Sequence, residues 1–196
     1  MIDYGRLDRS IQFYEAKGFS RVELPWLVTK EISAITKPVE KNEWEVIGKN
    51  KVLVASGEQS FLYQYTKGFL PKGKYMGITP CFRDDYFDTT HAKYFIKNEL
   101  IITDDVSTPA LVSLINDCKE FFEKELDDEV KLIKTEDGFD LEYEGIELGS
   151  YGIRSCAILD WIYGTALAEP RFGVVKRLAE QKLYRKFDKK RYGRKR

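Results

Sequence analysis

TPCFRDDYFDTTHAKYFIKNEL, residues Thr79 to Leu100, is the stretch whose reading decides the fold. It divides into two arms rich in aromatic and β-branched residues around an acidic centre, the pattern of two strands joined by a short loop. Side chains on a strand alternate between faces, so residues four apart share one. On that reading Phe82 and Arg83 stand on the first arm, Asp85 to Thr90 form the loop, and His91, Phe95 and Glu99 recur along the second. An arginine, an aromatic and several carboxylates at these spacings are parts suited to holding a nucleotide.

Toward the N-terminus, Leu7, Ile11 and Tyr14 recur at helical spacing. A helix is expected from about Leu7 to Lys17, then a turn at Gly18-Phe19, a strand from Ser20 to Leu24, and Pro25 after it. Glu45 to Ile47 and Val52 to Ala55, separated by Gly48 to Asn50, read as a hairpin. GEQSFLYQYTKGFL reads as a helix ending at Gly68, before Pro71. Ser107 caps a further helix, with Pro109 in its first turn and Leu111, Leu114, Ile115, Cys118 and Phe122 as its apolar residues. The acid-rich run from Glu123 to Glu129 closes that helix in solvent. Asp137-Gly138 marks a hairpin turn, Ile146 to Ile153 and Ala157 to Tyr163 two more strands, and a last helix follows. Paired strands with flanking helices fit an α+β fold, an antiparallel β-sheet flanked by helices, better than alternating βαβ units. Neither G-x-G-x-x-G nor G-x-x-x-x-G-K-[ST] occurs, which removes the Rossmann and P-loop routes to a nucleotide.

At 196 residues, 43% of them apolar, the chain suffices for one core that buries roughly 70% of the surface its unfolded form would expose. No apolar run has the length needed to cross a bilayer, and MIDYGRLDRS has no stretch of secretory type. A soluble, cytoplasmic protein is the expectation, with no membrane partner. Cys81, Cys118 and Cys156 are odd in number and lack a C-x-x-C pair, and with a single histidine in the chain neither a disulfide framework nor a zinc site is indicated. Thirty-two basic and 32 acidic residues give zero net charge, but not evenly. Residues 176–196 hold 11 Lys or Arg against 2 acids, a local +9, so residues 1–175 carry −9. Tyr184, Phe187 and Tyr192 are interleaved with that positive charge. A nucleic-acid contact and a solvated last helix with cations at its C-terminus both account for the basic tail.

The spacing Phe82-Arg83-x-Asp85, then His91-x-x-x-Phe95-x-x-x-Glu99, resembles motif 2 of the class II aminoacyl-tRNA synthetases. LDRSIQFYEAKGFSRVELPWLV is similar to motif 1 of that family, and IYGTALAEPRFGVVKRL to motif 3, with Arg171 opening the final helix. Ser56-Gly57-Glu58 stands where the family has the Thr-x-Glu of its amino-acid-binding loop. The four segments fall in the family's order, and TPCFR is nearest to the seryl branch. Departures are Ala166 and Ala168 in place of two motif 3 glycines, Pro170 before Arg171, and Asp85 for a more usual glutamate.

The resemblance implies a synthetase-like catalytic domain over residues 1–175, continued by the basic helix and tail 176–196. It implies an aminoacyl-adenylate-forming ligase that uses ATP and Mg²⁺ to activate an amino acid or related carboxylate and passes it to an acceptor. That acceptor would be a tRNA, a carrier protein, a protein lysine or a small amine. Arg83 would hold the α-phosphate, Phe95 stack on adenine, Arg171 reach the γ-phosphate, Asp85 sit near the adenine edge and His91 near the terminal phosphates. Glu99 and Glu147 would hold Mg²⁺, Ser56 and Glu58 face the substrate's amino group, and Ser150 and Arg154 line the same pocket. Motif 1 implies a homodimer, and the tail a contact with tRNA or another nucleic acid. Each residue also has a plain reading: Arg83 with Asp85 as a surface ion pair, Phe95 as core, His91 as a loop residue, Glu147 on a solvated face, Arg171 as part of the basic helix. The alternative function is a catalytically silent paralogue that binds nucleic acid or regulates.

Overall fold

A computed structural model describes residues 1–37, 42–84 and 92–192, with side chains to residue 185. Asp3 caps the first helix, α1 (Tyr4–Ala16), and the short strands β1 (Ser20–Arg21) and β2 (Leu27–Thr29) follow. Next come α2 (Lys30–Ser33), the hairpin strands β3 (Glu45–Val46) and β4 (Lys51–Leu53), and α3 (Gly57–Thr66). The two arms of the opening stretch are β5 (Lys74–Phe82) and β6 (Tyr94–Ile102), antiparallel as expected. The chain then forms α4 (Thr108–Leu126), β7 (Lys131–Lys134), β8 (Phe139–Tyr143), β9 (Ile146–Ser155), β10 (Asp160–Glu169) and α5 (Arg171–Tyr192).

Seven strands make the main sheet in the order β1-β5-β6-β10-β9-β8-β7, parallel only between β1 and β5, and β2-β4-β3 make a smaller antiparallel sheet. This is the expected α+β class. Alternation along β6 divides the molecule. Leu100 and Ile102 enter the larger core with α1, α4 and α5, while Asn98 reaches Ser10 of α1 at 3.0 Å. Phe95, Lys97 and Glu99 face the other way, toward a cavity, and Ile101 joins the second core under α3 and the small sheet. Leu114, Phe121, Phe122, Phe172 and Val175 are buried in the helical layer, each side chain contributing about 1.5–3 kcal/mol.

Two predicted elements move. The strand expected over Ser20 to Leu24 is only Ser20–Arg21: Val22 still donates to the Met76 carbonyl, but Leu24 turns into the second core. The strand expected over Ala157 to Tyr163 starts at Asp160, because Cys156 N–H bonds the Leu159 carbonyl in a turn, and it runs on to Glu169. The small residues Gly164 to Ala168 therefore lie in the sheet. Cys81 and Cys118 are buried and their thiols are pushed up to about 12 by burial, whereas Cys156 is only half-buried.

Phe13, Tyr14 and Phe19 of the motif 1 segment pack inside the chain. Phe13 and Tyr14 lie 5.3 and 5.7 Å from the Phe121 ring, and Tyr14 meets Phe19 edge-on. Beside them Arg6 of α1 forms a buried ion pair with Glu169 and lies 5.1 Å over the Phe172 ring, tying the first helix to the end of β10 and the start of α5. Burial raises the Glu169 carboxyl, with Arg6 opposing. No helix among the described residues is long and apolar enough to cross a membrane.

Candidate active site

The sheet face opposite α1, α4 and α5 carries a cavity of about 560 Å³, within the size range of small-molecule sites. Every described residue expected at the site lines it. Arg83, Phe95, Glu147 and Arg171 contribute from the ends of β5, β6, β9 and α5, and Ser56, Glu58, Glu99, Ser150 and Arg154 from α3, β6 and β9. Asp85 and His91 lie outside the described residues.

At one end, the Arg83 guanidinium sits 5.1 Å over the Phe95 ring and its Nε donates to the Ala55 carbonyl at 3.1 Å. The backbone of Arg83 is still paired, its N–H reaching the Lys93 carbonyl at 2.9 Å, so the side chain leaves a fixed frame. Arg171, the first residue of α5, donates to Glu147 at 3.1 Å. The Glu147 side chain is 44% exposed.

The middle of the cavity belongs to Glu99 and Lys97. One oxygen of Glu99 accepts from Ser56 Oγ at 2.7 Å, Gly57 N at 3.3 Å and Lys97 Nζ at 3.1 Å, and the same ammonium reaches Thr165 Oγ1 at 3.0 Å. Ser56 is also the N-cap of α3, accepting from Glu58 N. A Cβ on Gly57 would stand 2.8 Å from Glu99 Cγ, so glycine is what lets the helix start this close to β6.

The other end is built around Glu58, which is 7% exposed. Trp161 Nε1 donates to one of its oxygens and Arg154 Nη1 to the other, both at 2.6 Å. Arg154 in turn lies 4.1 Å over the Tyr163 ring. Burial raises the Glu58 carboxyl above its ordinary value, and the Arg154 charge and the Trp161 hydrogen bond oppose the rise.

Lys97, Thr165 and Tyr163 were not among the expected site residues. Lys97 had a signal: it lies two residues from both Phe95 and Glu99, so strand alternation puts it on their face. Tyr163 had none beyond closing the last expected strand, and Thr165 lay outside that strand, in the segment similar to motif 3.

No protein-family model matches the sequence, and no curated protein does. Solved structures do match. A pyrrolysyl-tRNA synthetase from Desulfitobacterium hafniense superposes with a TM-score of 0.71 at 16% identity, over 89% of this chain and 69% of that one. A seryl-tRNA synthetase from Pyrococcus horikoshii complexed with ATP gives 0.73 at 18% identity, over 87% and 49%. A cytoplasmic serine-tRNA ligase from Naegleria fowleri in complex with AMP gives 0.67 at 19%, over 84% and 51%. The fold is that of the class II synthetase catalytic core. The chain spans about half the length of the two seryl enzymes. At these identities the likeness is one of architecture, and the class II-like core here is characterised by its own side chains: Arg83 and Arg171 at one end, a Lys–Glu pair at the centre and a buried Glu58 paired with Arg154 at the other.

Proposed function

We propose that this chain activates an amino acid or related carboxylate with ATP, forming an acyl adenylate and releasing pyrophosphate. A single observation carries the reading: one cavity of about 560 Å³ gathers Arg83 over Phe95, Arg171 at a helix start, and the polar cluster of Glu58, Arg154 and Ser150. A substrate carboxylate is ionised at neutral pH and needs no general base. One of its oxygens bonds to the α-phosphorus, the bond from that phosphorus to the bridging oxygen breaks, and pyrophosphate leaves with the electron pair. The residues align the two anions and meet the charge that spreads over the phosphoryl oxygens. Arg83 takes the α-phosphate, Phe95 the adenine face, Arg171 the terminal phosphates, and Lys97 supplies a further fixed cation between the two substrates.

The two carboxylates proposed for Mg²⁺ differ in fit. Glu147 is half-exposed and offers a hard oxygen ligand, the kind of protein contact that Mg²⁺ takes beside substrate phosphates. Glu99 has one oxygen engaged by three donors and supports Lys97 and the α3 cap. Glu147 is thus the better holder. Bound there, the ion would neutralise phosphate charge. We further propose transfer of the activated acyl group to an acceptor such as tRNA, a homodimer, and a cytoplasmic location, each by likeness to the synthetases.

The test is calorimetric ATP binding with Mg²⁺, then amino-acid-dependent pyrophosphate exchange. Arg83→Ala and Arg171→Ala should each weaken ATP by about 10- to 100-fold, and Arg83→Ala should slow exchange by about 10²–10³. A folded wild type that binds no ATP sinks the reading. The second reading, a silent nucleic-acid-binding paralogue, is favoured by α5, which after Lys182 exposes Leu183, Tyr184 and Arg185. Binding of RNA without exchange would support it.

A further inference from the structure

We infer that the substrate carries an anionic group on its side chain, a carboxylate or a phosphate, and that Arg154 reads it. This deepens the adenylation reading and rests on it for the direction in which the substrate lies.

Arg154 is held as a presented cation. Glu58 takes one Nη1 hydrogen at 2.6 Å, Trp161 anchors the other oxygen of Glu58, and the Tyr163 ring lies 4.1 Å beneath the guanidinium. These contacts fix the plane of the fork yet use one of its five N–H donors. Among the described residues the guanidinium makes no other hydrogen bond, although the side chain lines the cavity and is 36% exposed. Glu58, with both oxygens on short bonds, therefore acts as the holder of Arg154. A planar fork with free donors matches the two oxygens of a carboxylate or phosphate, whereas a neutral acceptor meets one donor at a time.

Strand register gives the direction. Tyr163, beneath Arg154, pairs with Ile101 on β6, six residues from Phe95 and so about 20 Å along the strand. Lys97 and Glu99 stand between. A substrate whose reacting carboxylate meets the nucleotide near Arg83 points its other end toward Arg154. The Lys97 ammonium is already divided between Glu99 and Thr165, so Arg154 is the cation offered at that end.

The experiment compares charged and neutral members of matched pairs on the full chain: L-aspartate with L-asparagine, L-glutamate with L-glutamine, and O-phospho-L-serine with L-serine. Pyrophosphate exchange and calorimetric binding are read together, with thermal melting as the check on folding. In at least one pair the charged member should exceed the neutral one by tenfold or more in kcat/KM and in affinity, and the pair showing it identifies carboxylate or phosphate. Arg154→Gln should erase that preference by raising KM, and Arg154→Lys, which keeps charge without the fork, should restore it in part. Preference for the neutral member, equal use of both, or no binding of any acidic probe overturns the inference, whatever ATP does. If an acidic probe binds and Arg154→Gln abolishes that binding while ATP does not bind, the reading of Arg154 stands and the adenylation reading falls.

Discussion

The two ends of the cavity use the same chemistry, a glutamate against an arginine, in opposite ways. Glu58 is buried and gripped from β9 and β10 by Arg154 and Trp161, while Glu147 is half-exposed and accepts from Arg171 at the start of α5. Removing one partner of a buried pair strands a charge at a cost of about 3–5 kcal/mol, whereas an exposed pair contributes about 0–1 kcal/mol. The difference teaches what each arginine is free to do. In its proposed role Arg171 turns from Glu147 to a phosphate, and the half-exposed carboxylate left behind remains open to water. In its proposed role Arg154 keeps Glu58, whose buried carboxylate it would otherwise strand, and meets a ligand with its remaining donors.

The sharpest way to break this contrast is Arg154→Ala, which strands the buried Glu58 carboxylate. It should lower stability by about 3–5 kcal/mol, read from denaturant unfolding, and a loss below 1 kcal/mol would make the two ends equivalent. Next in size is a pH effect. Because the Glu58 carboxyl is raised in the fold, its contribution is fully present below about 4.5, its ordinary value, and is lost as pH rises through the folded value. Wild type should therefore lose stability relative to Glu58→Gln as pH rises from about 4.5 toward neutrality, and melting curves of both across that window check it. The smallest effect belongs to Glu147→Gln. It should change stability by no more than about 1 kcal/mol while weakening ATP binding only when Mg²⁺ is present, as calorimetry with and without the ion would read.

Much of this was legible because it is local. Phe95, Lys97 and Glu99 share a face by alternation alone, Ser56 and Ser107 both cap the helices they precede, and Arg171 opens the last helix as the motif order implied. What escaped depends on pairing across long separations. Glu58 meets Arg154 and Trp161 over 96 and 103 residues, and Arg6 meets Glu169 over 163. No periodicity carries such contacts, since they exist only once strand register and the packing of helices on the sheet are fixed. The misplaced start of β10 has a different origin. Ala157 to Leu159 are as apolar as a strand, but the Cys156–Leu159 bond turns them before pairing begins.

Gly57 sets the mechanical tolerance of the whole assembly. With 2.8 Å between a would-be Cβ and Glu99, the loop that starts α3 and the strand that carries Lys97 mesh without backlash. Substrates of different shape cannot be met by the backbone breathing at that seam. The centre of the cleft behaves as a rigid gauge for whatever is admitted.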